Sequence, residues 1–316
     1  MTKIFDVICI GAALVDIVAQ VERHPEEDDE VFVADLELLS GGAAANTAYA
    51  CAELELKTAF IGKIGRKDTF GTKIINDFNK VDVNTDFLRY SDDYNTGSAY
   101  IALNKEGDRR IYAHSGAANY LSKEDINEDE IASSSILFLS SLKNLEPFVK
   151  AAEIGKKKNI PVVLNPGMLI IEQGLTNIRR LLEKIDILII SQREFKALFY
   201  LTGNELNLDI AREKAKNLFS LGIDVLVITL GKIGAYLATS NFSELVPSYK
   251  IDKVVDTTGA GDAFSAGFLY GFIQHPSFKF EDLRNNVMIG NFIAGKCIEK
   301  LGARNGIPGV REIEIV

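Results

Sequence analysis

Between residues 160 and 201 the chain reads "IPVVLN" (160–165), "NIRRLLEKI" (177–185), "DILIIS" (186–191) and "REFKALFYL" (193–201). The two Val/Ile/Leu runs are too short for helices, and the segment after each repeats its apolar residues at helical spacing. A strand that is apolar without alternation is buried on both faces, the condition of a parallel sheet between two helical layers.

The same rhythm extends outward. Upstream, "DVICIGA" precedes "AANTAYACAEL", "TAFIGKI" precedes "FGTKIINDFNKV", and "SILFLSS" precedes "PFVKAAEIGKKKN"; downstream, "AREKAKNLFSLG" leads to "VLVITLG". Two regions depart from it. "DEVFVADLELLS" (29–40) and "GSAYIALNKEGDRRIYAHSG" (97–116) read as antiparallel strands without crossover helices, the second a hairpin around Asn104–Asp108. They predict a small sheet, a lid of about 17–40 and 97–113, over the ligand crevice of the main sheet. Within "VFVADLELL", Phe32, Ala34, Leu36 and Leu38 share one face and Asp35 and Glu37 the other, so one face is free to cover ligand or to meet a second copy in a homodimer. No repeat, low-complexity tract or linker interrupts residues 1–316, which are expected to form one domain.

Composition narrows the function classes. With 47% hydrophobic and 25% charged residues the chain is an ordinary globular protein, and its net charge of −9 argues against generic nucleic-acid binding, which needs basic surface. Cys9, Cys51 and Cys297 are odd in number and lack zinc or disulfide spacing, which points to a reducing, cytoplasmic compartment. The opening "MTKIFDVICIGAALVDIV" is broken by Asp6 and Asp16, lacks the plan of a signal peptide and falls short of a membrane span. It is expected to be the first strand, with Asp16 at its end.

Chemistry concentrates in "DTTGAGDAF" (256–264), where a loop turns into an apolar helix. Gly259 and Gly261 permit backbone shapes closed to other residues, and the helix they introduce presents unpaired N–H groups that attract anions, phosphate above all. Asp262 in the first turn has two readings at this point: a structural helix cap, or an acid placed beside a bound phosphate. The Rossmann fingerprint fails because Phe264 occupies its last glycine, and no Walker sequence is present. A second glycine cluster, "SGGAAANTAYA" (40–50), places Asn46 early in a helix, where an amide is a mediocre helix former unless it points at something. Asp16 has the same character, and the two could hold vicinal hydroxyls of a polyol. "ITLGKIGAYL" (228–237) reads as a tight turn between strands, and His24, His114 and His275 have no metal or triad spacing.

Taken in order, "GGAAAN", "IGKIGRKDTFG", "EGDRR", "TLGKIG" and "DTTGAGD" resemble the PfkB, or ribokinase-like, family of carbohydrate and nucleoside kinases, over about residues 4 to 312. The resemblance implies a ribokinase-like three-layer α/β sandwich, a mostly parallel sheet with helices on both faces and a small β-sheet lid. It implies ATP-dependent phosphoryl transfer to a hydroxymethyl oxygen of a small sugar or nucleoside, with Mg²⁺ and with K⁺ as a further cation. By the same resemblance Asp262 is the base and Gly259, Ala260 and Gly261 complete the anion hole; Asp16, Gly41, Gly42, Asn46 and the lid residue Arg110 contact substrate. Thr229, Gly231, Gly234 and Asn291, with Ser191 and Glu194 of "SQRE", serve the nucleotide, and Asp256, Thr258, Gly302 and Gly306 form a monovalent-cation loop. The chain departs from the family pattern in Ser191, where asparagine is common, in one added residue between Gly65 and Asp68, and in Leu14, where ribokinases carry asparagine. A silent sugar-binding protein is the non-enzymatic alternative.

Overall fold

The computed structural model describes residues 3–106, 108–203 and 206–313. In chain order the strands are β1 (Phe5–Gly11), β2 (Leu14–Val21), β3 (Val33–Gly41), β4 (Thr58–Ile61), β5 (Lys63–Gly65), β6 (Arg89–Ser91), β7 (Thr96–Leu103), β8 (Arg109–Gly116), β9 (Ser134–Ser140), β10 (Val162–Asn165), β11 (Ile187–Ser191), β12 (Val225–Thr229), β13 (Gly234–Ala238) and β14 (Ser243–Pro247). The α-helices are α1 (Ala43–Glu53), α2 (Thr69–Asn79), α3 (Glu128–Ala132), α4 (Glu146–Lys158), α5 (Met168–Ile171), α6 (Leu175–Leu182), α7 (Gln192–Leu198), α8 (Leu208–Phe219), α9 (Ala260–Gln274), α10 (Phe280–Cys297) and α11 (Val310–Ile313).

The main sheet has eight strands in the order β14-β13-β12-β11-β10-β9-β1-β4. Its pairs are parallel from β12 to β4, and β13 and β14 add antiparallel at one edge. Successive strand residues enter opposite layers, as the period of two requires. Val7, Cys9, Phe138, Ile189 and Val227 pack in one layer with α1, α9 and α10, while Ile8, Ile10, Leu139, Ile190 and Ile228 pack in the other with α4, α6, α7 and α8. This two-sided burial is why the strands read as unbroken apolar runs.

A separate four-stranded sheet, ordered β3-β2-β7-β8, forms the lid. Its hairpins β2–β3 and β7–β8 are antiparallel as expected, but they join through a parallel β2–β7 pair. The hairpin turn expected at 104–108 includes Gly107, which lies outside the described residues; beside it Asp108 N–H donates to Asn104 Oδ1 at 2.8 Å. The first strand also divides where none was expected. β1 ends at Gly11 and the chain re-enters the lid as β2, so Asp16 is the third residue of a lid strand rather than the end of a main-sheet strand. "TAFIGKI" splits likewise at Gly62, its second half pairing with β6 in a two-stranded parallel sheet.

Candidate active site

The register of the lid sheet decides what faces the crevice. Asp16 lies opposite Leu39 on one side and Ala99 on the other, so Glu37, Leu39 and Ala113 share its face. Gly41 ends β3 beside it, and a Cβ there would lie 2.4 Å from Asp16 Oδ2, so only glycine lets the carboxylate rest against this backbone. The chain then passes through Gly42, the N-cap of α1, and reaches Asn46 within the first turns.

Asp262 approaches from the opposite side. The N-cap of α9 is Gly259, held at φ 77° and packed so tightly on Ala303 that a Cβ would meet it at 2.4 Å. No side chain caps this helix, so the cap reading of Asp262 fails. Its Oδ2 instead accepts from Asn46 Nδ2 at 2.9 Å, and Asn46 Oδ1 accepts from Arg304 Nε at 2.9 Å. Burial pushes the Asp262 carboxyl up to about 7; the Asn46 hydrogen bond and the Arg304 charge pull it down, while the carboxylates of Asp16 and Glu194 add to the rise. Asp16 is raised to about 6 by burial, again against the pull of Arg304. Two carboxyls and one guanidinium thus converge from a lid strand, a helix N-terminus and the C-terminal loop.

On the far side of Gly261 opens a cavity of about 670 Å³, lined by Thr229, Gly231, Gly234, Asn291, Ala260 and Gly261 among others. Every nucleotide residue expected from the β12–β13 turn and α10 is therefore present at one cavity, and two members of the expected anion hole form its floor. Tyr249, Ile251, Val254 and Phe264 supply apolar walls that the sequence reading did not select. Asn291 has spent its amide, donating to Pro247 O at 2.9 Å and Val246 O at 3.3 Å. Ser191 and Glu194 do not line the cavity. They form a capping box on α7, in which Glu194 Oε2 accepts from the Ser191 N–H at 2.7 Å and hydroxyl at 2.8 Å. The S-x-x-E spacing announces that arrangement in the sequence itself.

Asp256 ties two loops together: Oδ1 accepts from the Thr258 N–H at 3.0 Å and hydroxyl at 2.7 Å, and Oδ2 accepts from the Gly302 N–H at 2.9 Å. Burial alone would raise this carboxyl, yet it lies below the usual range because those bonds and Arg109 outweigh burial. Gly306 packs against the Cys297 carbonyl in the same loop, and the buried Cys297 thiol faces the carbonyls of Ala303 at 3.5 Å and Thr258 at 3.9 Å.

One lid residue is corrected. Arg110 lies on the sheet face opposite Asp16 and donates to Pro25 O at 3.3 Å, away from the crevice. Its neighbour Arg109, on the Asp16 face, reaches across to donate to Thr258 Oγ1 at 3.0 Å. Alternation along β8 sends adjacent arginines to opposite faces, and the choice between them needs the register. Asp68 is a structural cap, accepting from Gly71 N–H at 2.5 Å and Thr96 N–H at 2.7 Å. Arg304 was missed altogether, since nothing in "GARNG" marks an arginine that folds inward.

Comparison with known proteins agrees with this geometry. The model of the pfkB family of carbohydrate kinases matches residues 5–309. A ribokinase of Staphylococcus aureus is 30% identical over 314 residues, covering 98% of this chain and 99% of that protein. The solved structure of Arabidopsis thaliana ribokinase complexed with ribose and ATP superposes with a TM-score of 0.85 at 26% identity, covering 100% of this chain and 98% of that one. A nucleoside kinase of Methanocaldococcus jannaschii shares the fold, with a TM-score of 0.82 at 22% identity and coverage of 100% and 98%. With a helix-borne acid at the meeting point of a lid crevice and a glycine-floored cavity, and with a family match over nearly its whole length, the chain belongs to the pfkB family of carbohydrate kinases.

Proposed function

We propose that the protein transfers the γ-phosphoryl group of ATP to a hydroxymethyl oxygen of a small sugar, with Asp262 as the proton acceptor. The observation that carries this reading is the position of Asp262 on the first turn of α9, between Asp16 of the lid crevice and the cavity floored by Gly261. An acceptor hydroxyl needs a base within hydrogen-bond reach, and a carboxyl raised to about 7 is about half ionised at neutral pH and a stronger proton acceptor than an ordinary aspartate. Asn46 occupies Oδ2, which leaves Oδ1 to face the sugar. The first-turn N–H groups of Gly261 and Asp262 lack intrahelical acceptors and supply donors for charge spread over the moving phosphoryl group.

Asp16, Gly41 and Gly42 hold the remaining sugar hydroxyls in this scheme. Thr229, Gly231, Gly234 and Asn291 border the nucleotide, while Ser191 and Glu194 shape the strand end at the start of α7, and Glu194 adds negative charge near Asp262. Mg²⁺ neutralises phosphate charge when bound. Mg²⁺ dehydrates reluctantly and would be held mostly through the phosphates and water. Asp256, Thr258, Gly302 and Gly306 would hold a monovalent cation such as K⁺, a reading supported by the way Asp256 ties the Thr258 and Gly302 loops together. The cation would stiffen the loop that leads into α9.

We read residues 1–316 as one kinase domain whose lid is about 17–40 and 97–113. Exposed Leu36, Leu38, Tyr100 and Tyr112, on the lid face opposite Asp16, suit pairing with a second copy. Three unpaired buried cysteines suit a cytoplasmic setting, and no helix among the described residues is long and apolar enough to cross a membrane. A nucleoside acceptor is the second reading, supported by Leu14 and Leu39 beside Asp16, which offer a base an apolar neighbour. The deciding experiment is a coupled ADP-release screen over pentoses, hexoses, keto-deoxy acids and ribonucleosides. Release with a sugar alone establishes the first reading, release with a nucleoside alone the second, and none with any acceptor leaves a sugar-binding protein without catalysis.

A further inference from the structure

We propose that Arg304 is the positioning residue of the acceptor site: its Nε–H fixes the amide of Asn46 so that the Asn46 NH₂ group, and not its oxygen, faces Asp262. The inference rests on the reading of Asp262 as the base. A side-chain amide can turn over by half a revolution at almost no internal cost, so its orientation is set by neighbours. Here both neighbours are of one kind only. The guanidinium is a pure donor and the carboxylate a pure acceptor, 2.9 Å from opposite ends of the same amide. Turned over, Asn46 would set oxygen against carboxylate and NH₂ against guanidinium, losing both bonds at once.

The rest of the arginine is arranged to hold that single contact. Its Nη1 and Nη2 atoms are shut off from solvent and have no hydrogen-bond partner among the described residues. The guanidinium carbon lies 4.9 Å from the centre of the Tyr49 ring and 5.8 Å from that of Phe78, so aromatic faces from α1 and α2 support the charge. Burial draws the guanidinium down to about 10, against the opposing charges of Asp77, Tyr49, Asp262 and Asp16. Asp77 is itself engaged by Ser40, Lys73 and Lys80. Among the described residues, the hydrogen bond that Arg304 makes is the one directed through Asn46 to the base.

Two near-isosteric substitutions separate this role from its alternatives. Arg304→Gln keeps an N–H donor four bonds from Cα, where Nε stands, and discards the charge; Arg304→Met keeps the length and discards both. With the sugar that releases ADP fastest in the screen, Arg304→Gln should retain kcat within about 3-fold. Arg304→Met should lose about 10- to 100-fold in kcat at nearly unchanged KM for ATP, the scale of one misplaced hydrogen bond to a reacting group. Equal losses in the two variants would assign Arg304 an effect of charge alone, and unchanged kcat in both a role in folding alone; either overturns the proposal. A readout independent of turnover is the side-chain NH₂ signal of Asn46 in ¹⁵N-asparagine-labelled protein, assigned by its loss in Asn46→Ser. It should stay dispersed in Arg304→Gln and collapse toward free-amide shifts in Arg304→Met. If the kinase reading fails, this spectrum still decides, and an Asn46 signal unmoved in Arg304→Met overturns the proposal. Should Arg304→Met be insoluble, an Arg304→Gln protein with wild-type melting temperature but collapsed signal and lost kcat overturns it as well.

Discussion

Replacing Asp262 by asparagine should produce an enzyme that is slow and, at alkaline pH, more stable. The substitution preserves size and can keep the bond from Asn46, but no proton can be accepted. Loss of a general base costs on the order of 10²- to 10⁴-fold in kcat, about 2.7–5.5 kcal/mol in barrier. The stability change follows from the carboxyl itself, raised from an ordinary 3.8 to about 7 chiefly by burial. Below about pH 4 the folded and unfolded chains both hold this proton, and the contribution of Asp262 to stability is whole. As pH rises toward 7 the unfolded chain releases the proton first, so stability falls through that window and the deficit is complete above it. Each unit of displacement is worth about 1.4 kcal/mol, a ceiling of about 4 kcal/mol, which solvent in the open crevice reduces to about 1–3 kcal/mol. Asparagine escapes the deficit. Urea unfolding of both proteins at pH 4.5, 6 and 8 should therefore show an advantage for Asp262→Asn that grows with pH, beside a lost kcat and an unmoved KM for ATP. A helix-capping aspartate would behave in the opposite way, its removal costing about 0.5–2 kcal/mol. A near-normal kcat, or a variant less stable than wild type at pH 8, refutes the assignment.

Other expectations follow from neighbouring residues. Asp16→Ala removes a charged hydrogen bond worth about 1.5–3 kcal/mol and should raise the sugar KM roughly 10- to 150-fold with ATP affinity unchanged; an unmoved KM for every active sugar makes residue 16 structural. Hydrogen exchange in 17–40 and 97–113 should slow on adding sugar but not with an ATP analogue alone, and Arg109→Ala, which cuts the bond to Thr258, should weaken that protection and lower kcat/KM for sugar about 3- to 30-fold. Protection indifferent to sugar removes the lid mechanism. Replacing K⁺ with tetramethylammonium at matched ionic strength should slow the enzyme, and equal rates count against a functional cation loop.

The main sheet was legible because strands buried on both faces advertise themselves as unbroken Val/Ile/Leu runs, and its helices because their apolar spacing repeats. "DTTGAGD" and "GGAAAN" were legible for another reason: glycines, an acid and an amide at those spacings have few other uses. What stayed hidden depends on distance along the chain. Asp16 was assigned to the wrong strand because the break at Ala12–Ala13 is marked by a single glycine, Gly11, inside an apolar run that reads as continuous. Arg109 and Arg110 are interchangeable until a register is known. Arg304 meets Asn46 across 258 positions of sequence, and its inward turn depends on Tyr49 and Phe78, which helical periodicity marks only as members of α1 and α2. Ser191 and Glu194 show the reverse case, a local spacing that announces the capping box they form on α7.

The chain enters and leaves the lid sheet twice, near Ala13, Gly41, Thr96 and Gly116, and all four strands are paired to a neighbour. A cover made of loose loop would surrender roughly 1–2 kcal/mol of conformational entropy for each residue it ordered on the sugar, charged against every binding event. Here the strands are already ordered at folding, which leaves the crossings and the connection 22–32 to change shape. Closure of such a plate would be a rotation with few degrees of freedom to lose, one that a molecule with only a handful of hydroxyl groups could drive.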